Sequence, residues 1–490
     1  MALSVVGPLS LRERARVRVT SPARWALALL ALTLLRLVVA ATAPLAPDEA
    51  YYWIWSRALA PGYLDHPPMI AFWIAAGTAI AGDTALGVRL LGPIGAAIGS
   101  LMLYDAGKRL FDARAGLAAA LLLNATLLLG VGAVTATPDT PLILFWTATL
   151  WAVVRAHASG NGRWWLAVGV FAGLALLSKY TAALLGLGLL LWLLLHEDAR
   201  RWLRTPWPWL GGVLALLCFA PVIAWNAQHG WASFAKQGGR AAEGGGQALK
   251  YLAELLGAQL GLATPLVFVL CVAGTVLAAR RIRDARFALL AALVLPGAAL
   301  FAWQATGDRV QGNWPAIVYP AAALAAGALS GRWKALVRPA ASLGFAITFA
   351  AYLQASAAPF ALQRRHDPTL IRMGGFEALA AEIAARRPAF VAGDDYALIS
   401  RLAFSLPRDV PVYAIGGRWA LFDLPRAQPM GEGVFIRSAR RGETRPESLF
   451  AAIGEGSVLV RARGGIEAER YGVWPVAGAE AAMTALPRPR

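Results

Sequence analysis

The stretch RWALALLALTLLRLVVAATAPLAPDEAYYW, residues 24–53, sets a long apolar run directly against an acidic and aromatic segment. A membrane-spanning helix needs roughly 20 apolar residues, because the hydrocarbon is about 30 Å thick and every backbone amide within it must be satisfied inside the helix. Residues 25–43 meet that length and are interrupted only by Arg36. Arg12, Arg14, Arg16, Arg18 and Arg24 precede the run and no convincing small-residue cleavage site follows it. The reading is a retained first span behind a basic cytoplasmic N-terminus, residues 1–24.

Working outward, comparable runs recur near 87–106, 115–134, 141–157, 164–178, 181–195, 209–225, 252–278, 287–303, 315–330 and 340–357. That predicts about eleven spans. Composition agrees: 58% of residues are hydrophobic and 15% charged, against about a quarter charged in a soluble domain. The formal charge of +18 sits in short clusters between apolar runs, where lipid head groups and topology account for it, so nucleic acid is not an expected partner. Cys218 and Cys271 lie inside apolar runs; they read as packing residues, with no disulfide framework or zinc-ligand spacing.

The basic clusters set a register. Lys108, Arg109 and Arg114; Arg155 and Arg163; Arg200, Arg201 and Arg204; Arg280, Arg281, Arg283 and Arg286; and Arg332, Lys334 and Arg338 occupy every second connection. The positive-inside rule places them in the cytoplasm and the other connections outside. The first outward loop, 44–86, carries Asp48, Glu49, Tyr51, Tyr52, Tyr63, Asp65 and His66, and its apolar part from Met69 to Gly82 reads as a helix along the membrane surface. Later outward connections hold Asp139, then Lys179, then Asn226 to Lys250 with Gln228, His229, Lys236, Arg240 and a glycine run at Gly244 to Gly246, then Asp308, Arg309, Gln311, Asn313 and Trp314.

Beyond Ala357 proline and charge rise and no run is long enough to span. Residues 358–490 are expected as a separate soluble α/β domain outside the membrane, with strands at Pro388 to Ala392, Val410 to Ile415, Gly433 to Arg437 and Ser457 to Arg461 around a helix from Tyr396 to Leu406.

Two adjacent carboxylates at a membrane surface, Asp48 and Glu49, can supply a general base. Acids in the first turn after Pro47 equally suit an ordinary helix start, where the helix dipole favours them. Asp65-His66-Pro67-Pro68 reads as a proline-fixed turn, or as a phosphate or metal contact. Asp139 has the position of a helix cap. Lys179 lies between two apolar runs almost without polar company, a costly place for a charge and one suited to a lipid-linked phosphate. Arg89 and Arg309 are further interfacial cations, which also snorkel to head groups.

The order Pro-Asp48-Glu49-Ala-Tyr-Tyr52, Tyr63-x-Asp65-His66-Pro67-Pro68, Val88-Arg89-Leu90, Thr-Pro-Asp139, Ser-Lys179-Tyr and Asn313-Trp314-Pro315 resembles the GT-C glycosyltransferases. More narrowly it is similar to bacterial family 39, the group of protein O-mannosyltransferases and the lipid A aminoarabinose transferase. The resemblance covers roughly residues 25–330, within a GT-C transmembrane domain of residues 25–357. It implies inverting transfer from a polyprenyl-phosphate sugar to a lipid, glycan or protein acceptor. Asp48 then matches the favoured base, with Glu49 in support and Asp139 at the second acidic position. Tyr52, Tyr63, Asp65, His66, Arg89, Lys179 and Arg309 become substrate-binding candidates. His66 stands where lipid A enzymes have a lysine near the donor phosphate, which leaves Lys179 as the stronger phosphate ligand. No cofactor is required, and a divalent metal near this loop stays open. Polyprenyl phosphate is already a leaving group, so cationic side chains suffice to stabilise the developing charge. A transporter or flippase should instead show broken helices at matching positions in two halves, and a non-catalytic scaffold would leave the outward acids without a role.

Overall fold

The computed structural model describes residues 22–239, 247–442 and 446–489. Arg12, Arg14, Arg16, Arg18, Arg240 and the Gly244 to Gly246 run lie outside the described residues. Among the described residues six helices are long and apolar enough to cross a membrane: Ala23–Thr42, Ala85–Leu110, Asp139–Ser159, Trp207–Gln228, Ala285–Gln304 and Gly331–Ser356. The number rises to 8 if each of two bent pairs is one span. Shorter apolar helices occupy Met69–Ala81, Ala113–Asn124, Trp164–Ser178 and Trp314–Gly327.

Long, unbroken spans alone do not confirm the expected eleven, and the interruptions have local causes. The run 115–134 is divided into Ala113–Asn124 and Leu127–Gly132. The Asn124 amide donates to Ser100 Oγ (2.7 Å) and Thr126 Oγ1 caps the second piece by accepting from Leu129 N (3.1 Å). Such side-chain bonds compete with a continuous helix. The run 252–278 is two helices, Ala248–Leu262 and Pro265–Arg280, bent by 108°. Pro265 has no N–H to donate and disfavours α geometry at the residue before it; Thr264 adopts φ 64°. A second bent pair joins Tyr180–Leu195 to Glu197–Arg204 at 102°.

Small residues bring the spans together where a polar turn must be held. A methyl group at Gly169 would lie 2.1 Å from the Gly211 carbonyl, so Trp164–Ser178 and Trp207–Gln228 meet backbone to backbone. Without hydrophobic drive between helices in lipid, close approach of small residues supplies the packing. The first of these helices ends at Lys179, whose extended backbone (φ −160°, ψ 142°) breaks the run just where the polar residue stands.

After Val337–Ser356 the chain builds a mixed sheet of eight strands: β1 Val391–Gly393, β2 Val412–Ala414, β3 Arg426–Ala427, β4 Glu432–Ser438, β5 Phe450–Ile453, β6 Ser457–Arg463, β7 Ile466–Ala479 and β8 Met483–Ala485. The order is β3-β8-β2-β1-β4-β7-β5, with β6 also on β7. β2, β1 and β4 are parallel, and the remaining pairs are antiparallel. β3, β5, β7 and β8 carry no clear alternation in the sequence. The longest, β7, contains Gly472, Pro475 and Gly478 and is sustained by β4 on one flank and β5 and β6 on the other.

This domain is not separate from the membrane part. Tyr51, Trp55, Tyr63 and Ile70 of the 44–86 loop share one buried cluster with Phe376, Leu398, Leu402, Trp419 and Phe422. The loop has more aromatic surface than it can bury alone, and the sheet domain covers it.

Candidate active site

The site is built on the helix Pro47–Arg57. Glu49 and Arg89, each 1% exposed, form an ion pair beneath it. One Glu49 oxygen accepts from Arg89 Nε (2.6 Å) and Ala136 N (2.8 Å), the other from Arg89 Nη2 (2.6 Å) and Ala46 N (2.8 Å). Arg89 also donates to the carbonyls of Ala40 (3.2 Å), Ala43 (2.6 Å) and Pro44 (2.8 Å). The pair thus ties together the end of the first span, the start of the helix, the Ala85–Arg89 turn and the segment before Asp139. A buried charge persists only when paired and fully hydrogen-bonded, and this one is. Glu49 and Arg89 accordingly hold the loop, and neither lines the cavity that Asp48 faces.

That cavity has a volume of about 530 Å³ and is bounded by Asp48, Tyr52, His66, Thr137, Asp139, Lys179, Gln237, Gln304, Gln311, Asn313 and Trp314, with Leu184, Leu300, Phe301 and Trp303 as an apolar wall. The structure so gathers, from segments far apart in the chain, Asp48, Tyr52, His66, Asp139 and Lys179. Burial lifts the Asp48 carboxyl above its ordinary range; the charge of Arg372 and the hydroxyl of Tyr396 oppose it, while Asp65 and Glu49 add to it. A carboxylate so raised is better matched to accepting a proton near neutral pH.

Lys179 Nζ donates to Asp139 Oδ1 (2.8 Å), and the Asn313 amide donates to Asp139 Oδ2. Asp139 opens the helix Asp139–Ser159. Both of its oxygens are engaged, one by Lys179 and the other by Asn313. An apolar crevice of about 210 Å³, floored by Gly92, Gly95 and Gly99 and walled by Leu123, Leu128 and Leu144, runs from the same Thr137, Asp139 and Asn313. The site therefore offers polar groups at one end and hydrocarbon-like surface at the other.

Asp65 precedes the cavity-lining His66 in the chain but does not itself line the cavity. Its carboxylate receives Lys236, Arg418 and the Tyr51 hydroxyl (3.0 Å). Burial alone would raise its pKa, but Lys236, Arg418 and Tyr51 together hold it below the usual carboxylate range. His66 lines the cavity with its ring 6.3 Å from that of Tyr52.

Two expected ligands are elsewhere. The Tyr63 hydroxyl is spent on Trp55 O (3.0 Å), Ala58 O (2.9 Å) and Ala60 N (3.0 Å), and its ring stacks on Trp55 at 4.2 Å. It shapes the turn before Asp65. Arg309 is exposed and bonded to Glu254 (2.7 and 2.9 Å), outside the cavity. Both residues satisfy strong local partners, which an isolated motif does not reveal.

Among the described residues no three His, Cys, Asp or Glu side chains converge as a metal-binding group. Asp65 and Asp139 are already committed to cations, so the donor set does not fit a divalent ion and no step is routed through one.

Sequence reasoning missed Tyr396, Arg418 and Lys236 as site residues. Asn313 was visible within Asn313-Trp314-Pro315, though without a role. The others lie in the sheet domain or on the short helix Ala232–Gly239, and no local pattern marks them.

Comparison with known proteins bears on this geometry. Residues 65–225 match the dolichyl-phosphate-mannose-protein mannosyltransferase family model. A lipid A galacturonosyltransferase, RgtD, of Rhizobium johnstonii is 30% identical over 300 residues, 57% of this chain and 59% of its own length; the match thus spans well under two thirds of that relative. Crystal structures of ArnT from Cupriavidus metallidurans align over 94% of this chain and 100% of theirs at 16% identity, with TM-scores of 0.67 for the form bound to undecaprenyl phosphate and 0.66 for the apo form. The GT-C-type fold expected from the sequence is the fold observed, including the C-terminal sheet domain.

Proposed function

We propose that this chain is an inverting glycosyltransferase of the inner membrane that moves a sugar from a polyprenyl phosphate to an envelope acceptor at the outer face. The observation that carries the proposal is one cavity in which a raised carboxylate, Asp48, shares the walls with the Lys179–Asp139 pair beside an apolar crevice. The acceptor hydroxyl or amine attacks the anomeric carbon and gives its proton to Asp48. The bond from that carbon to the phosphate oxygen breaks, and its electron pair leaves on the carrier phosphate, stabilised by Lys179. Attack opposite the leaving group inverts the anomeric centre. The names of the relatives favour a lipid acceptor over a glycan or protein, since one is a lipid A galacturonosyltransferase, and undecaprenyl phosphate in a shared fold supports the donor class.

The flippase reading has weaker support. Two helix pairs are sharply bent, yet none of residues 195–197 or 262–265 lines the polar cavity.

Mass spectrometry of envelope lipids, glycans and glycoproteins from cells with and without the gene tests the proposal. Loss of one sugar residue from one class is expected; identical profiles would sink the transferase reading. Labelling of a cysteine placed at Asp308 by an impermeant thiol reagent on intact spheroplasts checks the face, and protection there would invert it.

Lys179→Met should raise the apparent KM for the lipid donor at least about tenfold, the worth of a hydrogen bond to a charged group. An unchanged donor KM would reduce Lys179 to a structural partner of Asp139.

A further inference from the structure

We propose that the C-terminal domain completes the active site, with Tyr396 as the positioning residue for Asp48 and Arg418 as the clamp that holds Tyr396. The proposal rests on the reading of Asp48 as the base. Tyr396 is the first residue of the helix Tyr396–Ser405, whose start is fixed by Asp395 accepting from Ala397 N (2.9 Å) and Leu398 N (3.2 Å). Its hydroxyl lies 3.5 Å from Asp48 Oδ1. Hydrogen bonds of this kind are often long in a structure without substrate and tighten when the complex forms.

The surroundings leave Tyr396 little freedom. The Arg418 guanidinium lies over its ring at 4.0 Å, a cation–π contact. Arg418 also donates to the Tyr51 hydroxyl (3.2 Å) and to Asp65. The Tyr51 ring meets that of Tyr396 edge-on at 4.7 Å. Lower on the same helix Arg401, 2% exposed, donates to Leu45 O (3.0 Å) and pairs with Glu377. The sheet domain therefore grips the loop on both sides of Asp48, at Leu45 and at Asp65.

A hydroxyl on one carboxylate oxygen fixes the rotation of the carboxylate, so the other keeps one orientation toward an incoming acceptor. The donated hydrogen bond also favours the ionised form, as does Arg372, against burial and the charges of Asp65 and Glu49. Lys179, Asp139, His66 and Tyr52 share the walls of the same cavity with Tyr180, Gln237, Gln304, Gln311 and Asn313.

Dicyclohexylcarbodiimide modifies protonated carboxyls in apolar surroundings, so its reaction with Asp48 in the full-length protein, read by peptide mass spectrometry across pH, reports the protonation of that residue without any substrate. Tyr396→Phe should move the midpoint of modification to higher pH and, in a transfer assay, lower kcat about tenfold with donor KM within about twofold. Arg418→Met, which keeps the hydroxyl but frees the ring, should move the midpoint the same way. A midpoint unchanged in both variants overturns the proposal, whatever their activity. Full activity in Asp48→Asn would instead remove the base reading on which it rests, so the two failures are told apart.

Discussion

Asp48→Asn is expected to lower the rate of sugar transfer by about 10²–10⁴-fold, the usual contribution of a positioned general base, while the protein remains folded. Asparagine keeps the shape of the side chain and the approach of Tyr396, and removes only the ability to take a proton. Asp48 faces the cavity and is not part of the buried ion pair, so its loss should leave the thermal midpoint close to that of the parent. A fall of less than about tenfold would remove Asp48 as the base. The parent also makes a pH prediction with a definite sign. The base works only when ionised, and burial raises its pKa, so activity should be lost as pH falls through that raised value. The acid limb of the rate profile should therefore lie above the range of an ordinary carboxylate and disappear with the residual rate of Asp48→Asn.

Arg89→Met is expected to have the largest effect on stability. It would leave Glu49 buried with two of its four hydrogen bonds, and breaking a buried pair from one side costs about 3–5 kcal/mol. The three carbonyls of Ala40, Ala43 and Pro44 would lose their donor as well. Thermal unfolding in detergent should show a clearly lowered midpoint and poor yield. Adding Glu49→Leu should recover part of the midpoint, because it removes the stranded charge. If Arg89→Met kept the parent midpoint and weakened donor binding instead, Arg89 would be a substrate ligand, as its place in the motif suggests.

These two substitutions concern motifs that look alike in the sequence, and their different outcomes show how far reading it goes. Asp48 and Glu49 are neighbours on one helical turn. A helix turns about 100° per residue, so one carboxylate meets the cavity while the next meets Arg89. The helix-start reading describes the position of both residues, and only Asp48 is left facing the cavity where the general-base reading would place it. Tyr63 and Arg309 had the right residue types in the right loops, but each has a strong local partner in Trp55 and Glu254.

Apolar length and the run of short polar motifs sufficed for a helical membrane chain, for a C-terminal α/β segment, and for naming five of the residues that line the cavity: Asp48, Tyr52, His66, Asp139 and Lys179. These signals are one-dimensional, since a bilayer tests each segment by its own hydrophobicity and each motif keeps its residues within a few positions. The tertiary structure decided what depends on partners distant in the chain: Asp139 pairing with Lys179 from 40 residues away and Tyr396 reaching Asp48 across 348. It also decided that the tail packs on the 44–86 loop, because Tyr51, Trp55 and Tyr63 share their buried cluster with residues of the sheet domain. The acidic pair after the first span was legible from sequence, but which carboxylate faces the cavity and which is paired was set by the side of the helix that Arg89 occupies.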